Sequence, residues 1–224
     1  MLTDDPGTPD KGHWEINTAW LTERSPGANL DELPLLDINY GLEDRVQLKY
    51  EASRLRSQVA GRPRESGLSN SLVGVKWRFV DDDKTGWQIS TYPQFEFRNP
   101  RSSSARRGLV EEENSLLLPV EIQKALGPVG INIEVGRLLH VHSDDSWIYG
   151  CALGRSVGRR MELAVELHGE SDAGLGRGEL AVNFGVRLHC TDHGTLLASI
   201  GREISNHDEP RASLLSYLGW QLTP

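Results

Sequence analysis

Apolar and polar residues trade places at nearly every step of this chain, and a period of two dictates extended strands with one apolar and one polar face. Val46, Leu48, Tyr50 and Ala52 alternate with Gln47, Lys49, Glu51 and Ser53. Val73, Val75, Trp77 and Phe79 alternate with Gly74, Lys76 and Arg78. Trp87, Ile89, Thr91, Pro93, Phe95 and Phe97 alternate with Gln88, Ser90, Tyr92, Gln94, Glu96 and Arg98, and Leu180–Leu188 behaves alike. Helical spacing of apolar residues is absent. Followed along the chain, the pattern predicts twelve strands, at 13–24, 33–41, 46–54, 68–80, 86–98, 114–124, 129–140, 147–156, 161–169, 178–189, 195–204 and 214–222. Alternation is weakest in 195–204. Pro93 and Pro119 fall inside strands, where a lost ladder donor predicts bulges.

The links between strands alternate in character. Those at 42–45, 81–85, 125–128, 157–160 and 190–194 are short, whereas 55–67, 99–113, 170–177 and 205–213 are longer and rich in Gly, Pro, Ser and charge. A transmembrane barrel sorts its links this way, with tight periplasmic turns and longer outer loops. The expected fold is therefore all-β, a single antiparallel up-and-down transmembrane barrel over residues 1–224. Its strand number is about twelve, within a range of ten to fourteen. Residues 1–12 are expected to form a short periplasmic segment ahead of it, with both chain ends periplasmic. A soluble β-barrel or sandwich binding protein is the competing architecture.

With 38% hydrophobic residues, no run approaches the length of a membrane helix, which leaves a barrel free to hide in the hydropathy. A net charge of −8 argues against a nucleic-acid partner, which needs a basic surface. The chain opens Met1-Leu2-Thr3-Asp4-Asp5-Pro6, with neither a basic nor an apolar leader region, so a signal peptide is expected to have been removed. All aromatic residues fall in candidate strands. Trp14, Trp20, Trp87, Trp147 and Trp220 lie near strand ends, where such rings favour the lipid–water interface. Cys151 and Cys190 fall two strands apart, too far for a disulfide, and are expected to be free thiols.

Several stretches carry a family likeness. Thr3-Asp4-Asp5-Pro6-Gly7-Thr8-Pro9 with Gly12-His13-Trp14-Glu15-Ile16-Asn17 opens it, followed by Leu33-Pro34-Leu35-Leu36-Asp37-Ile38-Asn39-Tyr40-Gly41. Gly74-Val75-Lys76-Trp77-Arg78-Phe79 and Ser90-Thr91-Tyr92-Pro93-Gln94-Phe95-Glu96 continue it. Over almost its whole length the chain resembles the outer-membrane transporters named for the meta-pathway of phenol degradation. The resemblance implies a bacterial outer-membrane location, membrane lipid as a partner, and uptake of aromatic or other hydrophobic small molecules. It brings no catalytic residue and no cofactor. Outer-membrane barrels usually end on an aromatic residue, whereas here Trp220-Gln221-Leu222 is followed by Thr223-Pro224.

Projected inward, the strands give a polar lumen lined by Lys49, Glu51, Lys76, Arg78, Glu96, Arg98, Glu121, Glu134, Glu162, Glu166 and Arg187. Neighbouring strands are expected to set Lys49 and Glu51 beside Lys76 and Arg78. Such charges either pair across the barrel and plug it, or line a narrow path whose excess acid favours cations and neutral solutes over anions. Twelve strands leave a bore between a side-chain-filled eight-stranded barrel and an open porin. Gly136, Gly150, Ala152, Gly154, Ala164, Ala181 and Gly185 place the expected cavity on the seventh to tenth strands. His140-Val141-His142 with Asp144 and Asp145 supplies donor types suited to Zn²⁺, and Asp81, Asp83, Thr85 and Gly86 resemble the start of a calcium loop. Polar loops account for both, so no metal is assigned. His168 near Glu166 and Ser171, and His142 before Ser143, show no spacing that assembles a nucleophile, base and orienting group, and no enzyme is expected. The function read from the sequence is an outer-membrane channel or transporter-like barrel for small solutes. The alternative is a structural barrel with an ion-paired, plugged lumen.

Overall fold

The computed structural model describes residues 2–82, 84–207 and 210–224. Its strands are β1 (Trp14–Ser25), β2 (Ala28–Glu43), β3 (Val46–Val59), β4 (Glu65–Leu68), β5 (Ser71–Asp82), β6 (Trp87–Thr91) and β7 (Gln94–Phe97). They continue with β8 (Ser115–Leu126), β9 (Val129–His140), β10 (Ser146–Val157), β11 (Met161–Asp172), β12 (Gly178–His189), β13 (Gly194–Asn206) and β14 (Leu214–Leu222). All pairings are antiparallel, and β1 pairs with both β2 and β14, so the sheet closes on itself. Two staves of the wall are each broken in two. β4 and β5 both pair with β3, and β6 and β7 both bridge β5 to β8. The result is a closed twelve-stranded barrel, which removes every exposed sheet edge.

Its packing is the reverse of a water-soluble protein. Lys76, Glu121, Glu134, Glu166, Asn17, Asn39, Gln47, Asn183 and Gln221 are buried, while Leu48, Val75, Val120, Val135, Leu153, Leu163, Phe184 and Leu218 are exposed. The cause is the strict alternation: each strand sends its polar residues into the lumen and its apolar ones outward. A continuous apolar outer surface is unfavourable in water and fits hydrocarbon. Trp14, Trp87 and Trp220 sit at the rim of the short links, Trp14 packed on Tyr40 at 4.6 Å and Trp87 under the Lys124 ammonium at 4.7 Å. Trp20 and Trp147 lie toward the other rim, where the Trp20 indole donates to Asp31 and Trp147 faces the Arg137 guanidinium. Trp77 and Phe79 add to the outer aromatic surface at 5.5 Å from each other. Cys151 and Cys190 are exposed, free thiols.

The links differ from expectation in an instructive way. Residues 55–67 were expected as a loop, but β3 runs on to Val59 and β4 begins at Glu65. Likewise β11 continues to Asp172, and β1 and β2 are joined only by 26–27. The extra residues at that rim extend the hairpins, because paired backbone satisfies its own hydrogen bonds even where side chains turn polar. The link 98–114 is the exception and carries a 3₁₀ turn at Ala105–Arg107.

Neither proline makes the expected bulge. The register passes from Thr91↔Val120 to Gln94↔Leu117 without a shift, and β8 pairs with β9 continuously through Pro119↔Gly136. The two prolines face one seam, so their missing donors coincide in one local break at Tyr92–Pro93. Thr91 Oγ1 donates to the Pro119 carbonyl at 2.8 Å, and Val75 N–H to the Pro93 carbonyl at 3.1 Å. The bulges that do occur lie elsewhere, including Glu32/Leu35 against β3 and Arg78/Val80 against β6.

The inverted packing predicts an asymmetry. Phe184→Arg, on an outward side chain 60% exposed, should cost about 2–4 kcal/mol in lipid vesicles, the range for a cation at the midplane. Reversible denaturant unfolding measures it, and unchanged stability would place Phe184 outside the hydrocarbon.

Candidate functional site: the barrel lumen

Residues 2–12 do not stay outside the barrel on the periplasmic side, as the sequence led us to expect. At the short-link rim Gly12 N–H donates to the Gly41 carbonyl at 2.7 Å, and Lys11 pairs with Glu43 at 2.8 Å. The hydrogen bond to Glu43 raises the Lys11 pKa above the ordinary lysine value. A Cβ at Gly41 would overlap the carbonyls of Asp10 and Pro9, so glycine is what lets the segment cross the wall's inner surface here. From Thr8, whose hydroxyl donates to the Asp44 carbonyl, the chain turns into the lumen. The Asp5 carboxylate closes the turn by accepting the Gly7 N–H at 2.7 Å.

Inside, three backbone donors meet two wall carboxylates. Leu2 N–H donates to Glu166 Oε2 at 3.0 Å, Thr3 N–H to Glu166 Oε1, and Asp4 N–H to Glu134 Oε2 at 3.1 Å. Asn183 Nδ2 supports Glu166 from the neighbouring strand at 3.1 Å. Thr3 packs where a Cβ on Gly150 would stand. Of the small residues expected to border a cavity on β9 to β12, Gly185 lines the one that is present, whereas the space at Gly150 is taken by the segment.

Lys76 joins that segment to the wall. Its side chain is 2% exposed and its ammonium lies 3.0 Å from Asp4 Oδ1 and 3.3 Å from Glu121 Oε2, with the Asp5 carbonyl as a further acceptor. Glu121 is fully buried and accepts the Ser90 hydroxyl at 2.5 Å. The ammonium also sits 4.4 Å from the centre of the Tyr92 ring, close enough for a cation–π contact. A second group surrounds Lys49, which lies 2.9 Å from Glu51 and 3.6 Å from Asp37. Asn17 and Asn39 both donate to Asp37, and Gln47 bridges Asn39 to the Tyr92 hydroxyl.

Between the segment and the opposite wall remains a cavity of about 760 Å³. Glu15, Asp37, Lys49, Arg187 and Tyr217 face it from the wall, and Asp4 and Asp5 from the segment. Leu21, Leu35, Leu117 and Ile148 line it nearer the long-link rim, at which β8 and β10 begin.

The residues expected in the lumen are thus spread over several settings. Lys49, Glu51, Lys76, Glu134 and Arg187 line the cavity, while Glu121 and Glu166 are buried behind Lys76 and the segment. Arg78 lies at the short-link rim, donating to the Asp44 carbonyl and facing Asp81 at 3.3 Å. Glu162 stands near that rim, beside Gly154. Glu96 accepts from Asn70 near the other rim, and Arg98 lies beyond β7, in the link rather than the wall. The expected Lys49–Glu51–Lys76–Arg78 row is corrected by the register: Gln47 faces Lys76, Gly74 faces Lys49 and Leu72 faces Glu51. A stagger of this kind cannot be read from alternation, which fixes the face but not the offset. Asp4, Asp5 and Tyr92 were missed. Two adjacent carboxylates just ahead of the first strand, facing a lumen with buried lysines, were the available signal.

The remaining candidates resolve as follows. Glu166 is engaged by the segment and by Asn183, and among the described residues neither His168 Nδ1 nor Ser171 Oγ has a hydrogen-bond partner. Of the calcium-like stretch, Asp83 lies outside the described residues, Asp81 pairs with Arg78, and Asp82 accepts from Lys84 and Thr85 within the turn. His140 and His142 do not share Asp145, which accepts from Arg137 and from the His140 backbone. Glu113, in the link 98–114, takes the Ser143 hydroxyl and the N–H groups of His142 and Ser143, which together hold its pKa down at about 2.

No protein-family model and no curated protein matches the chain. Among solved structures, it is similar to the COG4313 outer membrane channel from Pseudomonas putida F1, at a TM-score of 0.82 and 13% identity over 100% of both chains. It is also similar to the KdgM porin, at 0.65 and 10% identity over 92% of this chain and 98% of that one. The NanC porin follows at 0.59 and 11%, over 94% and 99%. At these identities the likeness establishes the fold, which is that of outer-membrane barrels.

Lys76→Met should leave Glu121 buried without its cation and destabilise the barrel by about 3–5 kcal/mol, the cost of breaking a buried pair from one side. Adding Glu121→Gln should recover much of that loss. Denaturant unfolding of both single variants and the double variant measures this, and a double-variant loss equal to the sum of the two single losses would show that Lys76 and Glu121 do not interact.

Proposed function

We propose that this chain is a channel of the bacterial outer membrane for small solutes, restricted by its own residues 2–7. The observation that carries the proposal is the 760 Å³ cavity left beside a segment held by side chains of the wall. The segment is held by hydrogen bonds and ion pairs to polar side chains of the wall, Lys76, Glu134 and Glu166, and not by a packed apolar core. The fold shared with outer-membrane channels and porins supports the location and the activity class.

Solute preference follows from the lining. Asp4, Asp5, Glu15, Asp37, Glu51 and Glu134 outnumber Lys49, Lys76 and Arg187, which disfavours anions. Leu21, Leu35, Leu117 and Ile148 give the approach from the long-link rim an apolar wall, suited to aromatic or other hydrophobic molecules. This agrees with the likeness to the phenol meta-pathway transporters.

Planar-bilayer recording tests the proposal. The intact chain should show a small, cation-preferring conductance, and deletion of residues 2–7 should raise it several-fold. If neither form conducts and neither passes solute into liposomes, the chain is instead a structural barrel, closed by side chains of the wall such as the Lys49–Glu51–Asp37 and Lys76–Glu121 pairs.

A further inference from the structure

At the long-link rim, away from the lumen site, the link 98–114 meets the end of β9. Glu111 and Glu113 come from the link, and His140 is the last residue of β9. One ligand atom from each lies within 4.8 Å of the others. His140 Nδ1 is shut off from solvent and has no hydrogen-bond partner, which costs free energy unless something fills the space before it. It stands 3.7 Å from Glu113 Oε1, too far for a hydrogen bond. That spacing suits two ligands of one small ion. Donors about 2.0–2.1 Å from Zn²⁺ stand roughly 3.3 Å apart at a tetrahedral angle and about 4 Å apart when opposed.

The chemistry of the donors narrows the choice. Calcium and magnesium take oxygen cages, whereas an imidazole with carboxylates suits Zn²⁺ and its transition-metal neighbours. Glu113 is already oriented, by the His142 N–H at 2.6 Å, the Ser143 N–H at 3.2 Å and the Ser143 hydroxyl, as the supporting shell of a metal ligand should be. These bonds leave one lone pair on Oε1 free to face His140.

We propose that Glu111, Glu113 and His140 bind one divalent transition-metal ion of the Zn²⁺ type, which clasps the link 98–114 to the wall. The link's other side is already fixed, because Arg107 donates to the Ser66 carbonyl at 2.8 Å and pairs with Glu65 at 3.3 Å on β4. With the ion bound, the longest link is tied at both sides across the outer ends of β7 and β8.

Zinc added to chelator-treated barrel in detergent, in competition with a chromophoric chelator, tests the site. One ion per chain should bind with micromolar affinity or better. His140→Gln and Glu111→Gln should each weaken it by about tenfold or more, while heat-shifted gel migration shows both variants folded. X-ray absorption of the one-to-one complex should show a single imidazole among oxygen ligands. Trypsin cleavage at Arg101, Arg106 and Arg107 should slow when zinc is present. Binding no tighter than millimolar, binding unchanged in the double variant, or a zinc shell with two or more imidazoles would overturn the proposal.

Discussion

A lysine whose side chain is almost wholly buried in the middle of a barrel must be matched by negative charge, and much of this molecule is arranged around that requirement. Lys76 obtains Glu121 from the neighbouring wall and Asp4 from a segment seventy-two residues earlier in the chain. The second partner is the consequential one. A wall lysine satisfied only by wall acids would leave residues 2–7 no reason to enter. Because Asp4 completes the pairing, the segment is drawn along the inner surface, and its backbone donors then find Glu134 and Glu166.

The rest of the lumen accommodates that entry. Gly41 lets the chain pass the rim, and Gly150 leaves space for Thr3. What remains is asymmetric: the segment fills the side of β9 to β11, where Glu134, Gly150 and Glu166 meet it, and the cavity opens along β1 to β3, β12 and β14. Ion pairs at Lys49 and hydrogen bonds around Asp37 keep the open side from collapsing. The charge that sets solute preference and the charge that holds the segment thus belong to one connected lining. A change to either alters both.

Alternation, with the rhythm of short and long links, was enough for the closed twelve-stranded barrel, because the period of two survives every register. It could not supply the offset between strands. That is why Glu51 was placed beside Lys76 although Leu72 and Gln47 are the true neighbours. It was also silent on residues 2–12, which have no periodicity and owe their path to contacts with Glu134, Glu166 and Lys76 far along the chain. The small inward residues of β9 to β12 were recognised, but the sequence shows only that space exists there, not what fills it. The rim cluster escaped for a related reason. His140 was visible as a ligand type, yet the carboxylates that gather with its imidazole come from the preceding link, nearly thirty residues away, while Asp145 bonds to its backbone.

The placement of the segment is open to a direct measurement. In a Cys151→Ser, Cys190→Ser background, a thiol at Thr3→Cys can be labelled with a membrane-impermeant maleimide in folded, detergent-held barrel. The expected result is slow labelling, accelerated at least several-fold when Glu134→Gln and Glu166→Gln remove the carboxylates that hold the segment. Labelling as fast as in the denatured chain, and indifferent to those two substitutions, would show that residues 2–7 lie outside the lumen.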